Sequence, residues 1–508
     1  MNWKHYKALS PTQKRDEIYY IIGLDLGNDS TGMAFYSIPH NHPEFIDLSG
    51  GYGKPSVPTV MQYISETKEW VFGEYAVLNR GAGTEITLSS LMERLGHADY
   101  VDVDRRSLSV ASVLALFIKE ILGNVRSINP KAEIVGIIAT VPAYFSDQAY
   151  EELRRAFAIA GYEKELIDLI PDRECVLSHY YKTAPDRPQR VMLLDFGARE
   201  IRGGLYNVIA QDGGILATSL SSLFSDAISM SKINQDITEF FESFVFAEVK
   251  QTRQLKEHVL AFSHQHRDML FQKNIRTKPI KAYFNFTYPP FQQTITHQQV
   301  QNLMAPYTRR FDIFIKDVLE KSIGPSGEVD AVLCVGGGFE MLWAREAIGG
   351  LFPHTEFYKN PKMITCEGAA VVAARALGVD TGDWLVLEDR HQLTNDICLT
   401  DGVNFLPLVE RNVFWWQNHP PRLVIVNQEI TGDLDLTLCT RTQNDELKNI
   451  GCVKLTELPS RPKGVTRFEI SLKFASNTDV VITVRDVGFG ELFPRADYVR
   501  EVRVSMVI

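Results

Sequence analysis

The sequence predicts a mixed α/β domain over residues 18–380, then a separate antiparallel β domain over 396–508. Three observations carry that reading. Apolar runs of strand length alternate with segments of helical spacing between Ile21 and Leu377, which implies sheets layered with helices. After residue 396 the period drops to two: Leu434, Leu436 and Leu438 alternate with Asp433, Asp435 and Thr437, and Phe468, Ile470, Leu472 and Phe474 alternate with Glu469, Ser471 and Lys473. The third observation is a pattern that occurs twice. Ile21-Ile22-Gly23-Leu24-Asp25-Leu26-Gly27 is an apolar strand ending in Asp-x-Gly, followed by a polar turn and a second strand from Met33. Val191-Met192-Leu193-Leu194-Asp195-Phe196-Gly197 repeats it, with a second strand over Gly203 to Val208. Two such hairpins far apart in one chain imply an internal duplication.

Taken in order, residues 1–17 are polar and read as a loose or weakly helical arm. After the first hairpin comes a Gly/Pro-marked stretch, Gly50 to Thr59. Ser107 to Leu122 carries Val110, Val113, Leu114, Phe117, Ile118 and Ile121 at helical spacing. Ile134 to Val141 is a buried strand stopped by Pro142. A helix capped by Ser146 or Asp147 runs to Gly161, a short strand spans Leu166 to Ile170, and Cys175 to Lys182 is helical. Beyond the second hairpin, Asp226 to Gln272 is mostly helical, Ile280 to Phe286 is a strand, and Thr296 to Ser322 holds one or two helices. Val329 to Val335 is a strand running into Gly336-Gly337-Gly338, a helix covers Glu340 to Ile348, and Gly368 to Leu377 is a small-residue helix suited to close packing. Residues 381–395 are a linker, of which Asp383 to Asp389 is apolar with acidic flanks. It reads either as a docking segment or as a plain edge strand.

With 508 residues the chain has room for two to four domains. A net charge of −10 argues against nucleic acid as a partner. No run approaches a membrane span and the N-terminus has no secretory character, so a cytoplasmic protein without membrane partners is expected. The scattered Cys175, Cys334, Cys366, Cys398, Cys439 and Cys452 read as reduced thiols, not as a disulfide set or zinc site. His40 with His42, and His264 with His266, are spaced i,i+2, which places no pair on one helical face; solvated histidines are expected. Phe414-Trp415-Trp416 reads either as β-domain core, the favoured reading, or as an exposed apolar recognition patch.

The duplicated hairpins suggest a function. A Gly-containing turn lets backbone N–H groups approach an anion, and a strand-end carboxylate can hold a hydrated divalent cation beside it. If the two halves face each other, Asp25 and Asp195 converge on one metal–phosphate site, as in the actin-like ATPases.

The order of motifs then resembles the DnaK-type seventy-kilodalton heat-shock chaperones. The resemblance rests on Gly23-Leu24-Asp25-Leu26-Gly27, Thr140-Val141-Pro142-Ala143-Tyr144-Phe145-Ser146-Asp147, Leu194-Asp195-Phe196-Gly197, Val335-Gly336-Gly337-Gly338-Phe339, and Asn360-Pro361-Lys362 with Glu367-Gly368-Ala369-Ala370-Val371. In the β domain it rests on Pro407 to Asn412 and on Leu458 to Val465. It implies an actin-like, ribonuclease H-like two-lobed ATPase domain followed by a β-sandwich similar to the chaperone peptide-binding domain; unlike the family, this sequence is expected to lack the helical lid. It implies ATP or ADP with Mg²⁺, the metal on Asp25 and Asp195, and Asp172 and Asp195 in catalysis. Nucleotide contacts are implied at Gly27, Asn28, Asp29 and Ser30, at Gly197, Ala198, Arg199 and Glu200, at Gly336, Gly337, Gly338 and Phe339, and at Arg267. The implied partner is an extended or unfolded polypeptide or a specific partner protein.

The departures fall on the chemistry. Asn28 and Asp29 stand where the family has two threonines. Ala198-Arg199-Glu200-Ile201-Arg202 replaces Gly-Gly-Thr-Phe-Asp; Arg199 or Arg202 can compensate by binding phosphate. Asp172 is one methylene shorter than the family's Glu, with Glu174 as a rival. Met92 falls where the family's lysine belongs. The base-contacting helix offers His264, Arg267, Asp268 and Gln272. Phosphoryl transfer is mostly positioning and electrostatics, so weak or absent hydrolysis is expected. The alternative is a pseudo-ATPase scaffold that works through protein partners; an actin-like small-molecule kinase is disfavoured by the linker and β domain.

Overall fold

A computed structural model describes residues 8–10, 12–15, 18–48, 56–78, 85–97, 99–142, 145, 147–271, 278–320, 328–388, 396–400, 405–410, 419–441, 447–474 and 479–505. The fold is mixed α/β and divides into two units, Met1–Glu388 and Asp389–Ile508. Phe414-Trp415-Trp416, Ala143-Tyr144, Ser146 and Gln272 lie outside the described residues.

The first unit contains one arrangement twice. β1 (Tyr19–Leu26), β2 (Ser30–Ser37) and β3 (His42–Phe45) form an antiparallel meander. After a short helix α1 (Leu91–Arg94), α2 (Val110–Ile128) leads into β4 (Glu133–Val141), α3 (Asp147–Ile159) joins β4 to β5 (Ile167–Pro171), and α4 (Asp172–Tyr180) leaves β5. β4 and β5 are parallel to β1, giving the order β5-β4-β1-β2-β3. The second half repeats it. β6 (Gln189–Phe196), β7 (Ile201–Gln211) and β8 (Gly214–Ser225) form the meander, followed by α5 (Met230–Glu248) and α6 (Arg253–His266). Then α7 (His297–Glu320) leads into β9 (Ala331–Val335), α8 (Leu342–Gly349) joins it to β10 (Thr355–Phe357), and α9 (Ile364–Ala376) leaves the sheet. The order is β10-β9-β6-β7-β8, with β11 (Leu385–Glu388) added parallel to β8.

Local chemistry explains the elements. Ser109, Ser229 and Thr252 cap α2, α5 and α6 by accepting from backbone N–H groups three residues on. Helices on either side of each sheet leave β1, β4, β6 and β9 nearly continuous in buried apolar residues.

The last helix of each half packs on the other half's sheet. Met363, Cys366, Ala369 and Ala370 at and beside α9 share a core with Ile21, Ala34 and Ile138. Val176 and Leu177 of α4 share one with Val191, Leu193 and Tyr206. Small residues make this possible. A Cβ on Gly23 would lie 2.1 Å from the Cys366 carbonyl oxygen, and one on Gly368 would lie 2.0 Å from that of Cys175.

Several expectations shift at this level. α4 starts at Asp172, three residues before the expected Cys175, and α9 starts at Ile364, so both helices begin beside the cleft described below. Leu385–Glu388 of the linker is an edge strand of the second sheet, and Arg375 lies over the Trp384 ring at 5.6 Å. The N-terminal arm is anchored in part: Leu9 is buried and donates its N–H to the Leu377 carbonyl at 3.0 Å. Cys452 is exposed while the other five cysteines are buried, all as free thiols. Among the described residues, no helix is long and apolar enough to cross a membrane.

Among its described residues, the second unit has two four-stranded antiparallel sheets. One has the order β13-β12-β15-β16, from β12 (Asp396–Thr400), β13 (Phe405–Val409), β15 (Leu434–Arg441) and β16 (Leu447–Leu455). The other runs β14-β17-β18-β19, from β14 (Arg422–Val426), β17 (Thr466–Phe474), β18 (Asp479–Asp486) and β19 (Val499–Ser505). Period-two patterning sets the buried face, so Phe468, Ile470, Leu472 and Phe474 all point inward from β17.

Candidate functional site: a cleft between two matching turns

The two Asp-x-Gly turns are the same object built twice. Residues 21–30 and 191–200 have the same pattern of burial, position for position. Gly27 N–H donates to the Ser30 carbonyl at 3.1 Å, and Gly197 N–H to the Glu200 carbonyl at 3.0 Å. Both turns open into one cleft of about 250 Å³. It is lined by Asp25, Gly27, Asn28, Asp29 and Ser30 from the first turn, and by Asp195, Gly197, Ala198, Arg199 and Glu200 from the second. Asp172, Arg267, Gly336 and Gly337 complete the sequence-predicted lining. Gly336 must be glycine: its φ is +89° and a Cβ would fall 2.4 Å from the Asp195 carboxylate.

Gly338 and Phe339 do not line the cleft. Phe339 is fully buried, edge-on to Phe196 at 5.9 Å, and a Cβ on Gly338 would run into the Phe196 ring. Their place is the core behind the second turn. Of the rival carboxylates at the start of α4, Asp172 faces the cleft, whereas Glu174 is buried away from it.

The structure gives the predicted residues partners, of which the sequence assigns a role in the site only to Arg202. Thr140 at the end of β4 donates to Asp25 at 2.6 Å. Glu93 of α1 accepts from Asn28 Nδ2 at 3.2 Å, returns its own N–H to Asn28 Oδ1 at 3.1 Å, and also pairs with Arg199. One carboxylate therefore joins both turns. Arg202 donates to Glu200 at 2.5 Å and to Asp172 at 3.2 Å. Lys362 lines the cleft with its stem against Gly337, and among the described residues no ion pair engages its ammonium. Lys362 was legible in principle: it stands in the Asn360-Pro361-Lys362 motif, as a cation directly before a closing helix.

Comparison with known families gives two partial matches. Residues 42–204 match a family described as "Family of unknown function (DUF5716) C-terminal". Residues 399–506 match "Domain of unknown function (DUF8552)". The first match holds Asp172, Asp195 and Arg202 but begins beyond Asp25; the second lies within the second unit.

Electrostatics set the character of the cleft. Burial pushes the Asp195 carboxyl up to about 7; Arg202 opposes this, while Asp172, Asp25 and Glu200 add to it. Burial also pushes Asp25 up to about 6, against the Thr140 hydrogen bond and the charges of Lys362 and Arg202. A carboxyl raised in the folded state stabilises the fold below its unfolded value near 4, and that contribution is lost as pH rises through the folded value. Without ligand, the first unit is therefore expected to lose stability from about pH 4 to about pH 7, and so to be less stable at about pH 8 than at about pH 5. Asp195→Asn should flatten that slope and raise stability at pH 8 by about 1–3 kcal/mol, less than the full shift because the group still touches solvent. Denaturant unfolding at the two pH values checks this; a variant less stable than wild type at pH 8 would refute it.

On the sheet edge, His40 and His42 are exposed and flank the β2–β3 turn with Glu44. His40 Nδ1 lies 2.7 Å from Glu44, and the two rings stack at 5.8 Å. Residues two apart share no helical face, but around a hairpin that spacing does bring the rings together.

Proposed function

We propose that the first unit is an actin-like, ribonuclease H-like two-lobed domain that binds ATP or ADP through its phosphates in this cleft, with weak or no hydrolysis. We propose that the second unit is a β-sandwich similar to the chaperone peptide-binding domain, which engages an extended polypeptide or a partner protein. One observation carries the reading: two copies of one Asp-x-Gly turn, from sheets of the same strand order, meet across a single cleft. Poor hydrolysis is supported by Met92 in place of a lysine and by Ala198 and Glu200 in place of glycine and threonine, since transfer depends on positioned charge. Peptide binding is supported by β14, an edge strand with Leu423 55% and Ile425 53% exposed, suited to pairing with an extended chain.

A second reading, a nucleotide-free scaffold, is favoured by Glu93, which already occupies the polar groups of both turns. Thermal denaturation with ADP and ATP separates the two. A binder gains about 2.7 kcal/mol at a hundredfold excess of ligand over its dissociation constant. The gain is expected in wild type and absent in Asp25→Ala. No gain at millimolar nucleotide would leave the scaffold reading.

A further inference from the structure

The resemblance implies a divalent cation held by the strand-end carboxylates, and the donor set can be tested for it. A divalent ion needs several oxygen ligands facing an open position. Of the carboxylates lining the cleft, Asp25 and Asp195 stand at the strand ends and Asp172 at the start of α4. A fourth group stands among them. Arg202 is the direct cross-strand partner of Asp195 in the β6–β7 hairpin, and side chains opposed in this way rise from the same face of the sheet. Its guanidinium reaches Asp172 at 3.2 Å and Glu200 at 2.5 Å. It lines both the cleft and a smaller pocket behind it that Asp172, Asp195 and Thr365 share. The duplicated hairpin offers an internal contrast. The residue opposite Asp25 is Gly32, which contributes no charge. In the resembling family the position of Arg202 is an Asp, so the charge is reversed there.

We infer that the Arg202 guanidinium takes the place of a divalent cation among Asp25, Asp172 and Asp195, so that the cleft receives a phosphate-bearing ligand without metal. Its fixed charge offsets the carboxylates, as seen in its pull on both Asp25 and Asp195. A guanidinium presents a planar fork of N–H donors of the kind that suits phosphate oxygens. Lys362 supplies a second cation in the same cleft. The metal-free phosphate clause rests on the nucleotide reading above; the clause about Arg202 does not.

The test uses the full chain with Mn²⁺ as probe, read by electron paramagnetic resonance, and ADP binding by calorimetry. Wild type is expected to bind Mn²⁺ no better than millimolar. Arg202→Gln should expose the carboxylates and bind Mn²⁺ at least about tenfold tighter, and the gain should vanish in Arg202→Gln with Asp195→Asn. Arg202→Lys, which keeps the charge and checks against simple misfolding, should still exclude the metal. ADP affinity in wild type should be the same in EDTA and in Mg²⁺. Tight Mn²⁺ binding by wild type that Asp195→Asn abolishes would overturn the inference, and so would an Arg202→Gln chain that folds and gains no Mn²⁺ site. Absence of any ADP binding would sink the nucleotide reading alone, and the Mn²⁺ measurement would still decide the role of Arg202.

Discussion

Arg461→Ala is expected to destabilise the second unit by about 3–5 kcal/mol, because it leaves a buried carboxylate without its counter-charge. Arg461 and Asp486 have 4% and 1% exposed side chains and form a two-pronged pair, Nη1 to Oδ1 at 2.7 Å and Nη2 to Oδ2 at 2.6 Å. The pair also ties the chain that runs on from β18. Asp486 accepts from Gly488 N–H at 3.0 Å and Ala496 N–H at 2.7 Å, and Arg461 donates to the Pro494 carbonyl at 2.8 Å. Burial alone would raise the Asp486 carboxyl, but Arg461 and the two backbone donors outweigh it and hold it below the ordinary range. A depressed carboxyl stabilises the fold above its unfolded value, and that contribution is lost as pH falls through the folded value. The second unit should therefore weaken in acid, below the usual carboxylate range. Replacing both partners, Arg461→Met with Asp486→Leu, should restore most of the loss, since neither buried charge then remains. Denaturant unfolding reported by amide exchange in Thr466–Phe474 measures it. A single-variant cost under about 1 kcal/mol would show that the pair is solvated.

Gly368→Val is expected to cost at least about 4 kcal/mol or to prevent folding of the first unit, with Gly368→Ala close behind. A Cβ there would lie 2.0 Å from the Cys175 carbonyl oxygen, where only movement of α4 or α9 as a whole gives relief. The opposite face of α9 has no slack either, because a Cβ on Gly23 would meet Cys366 and Ala370 backbone atoms at 2.1 and 2.2 Å. Gly123 in α2 is the control. A Cβ there meets nothing within 4 Å, so Gly123→Ala should stabilise by about 0.5–1 kcal/mol. The crossing also reaches the site, because Asp172 opens α4 while Lys362 and Thr365 stand at the start of α9. If Gly368→Ala folds, any ligand of the cleft should bind it more weakly. A Gly368→Ala chain as stable as wild type would refute the close contact.

Much of this was written locally in the chain. Strand and helix periods located both Asp-x-Gly hairpins, the strands that flank them and most of the long helices of the first unit, because burial against a sheet face is imposed residue by residue, but they did not select β3, β8, β10 or α1. Both Asp-x-Gly turns could be read directly, since a hairpin and its closing hydrogen bond lie within a few consecutive residues. Ten of the fourteen predicted residues that line the cleft belong to these two turns. What only tertiary structure decided are the pairings between distant segments. Glu93 meets Asn28 and Arg199 across sequence separations of 65 and 106 residues. Arg202 finds Asp172, Arg461 finds Asp486, and α4 and α9 pack on each other's sheets through Gly368. Local pattern states which face of an element is buried. Which partner fills it depends on crossovers and helix contacts that no short window contains, and those contacts brought the Arg202 guanidinium to Asp172, a carboxylate that the resemblance assigns to catalysis.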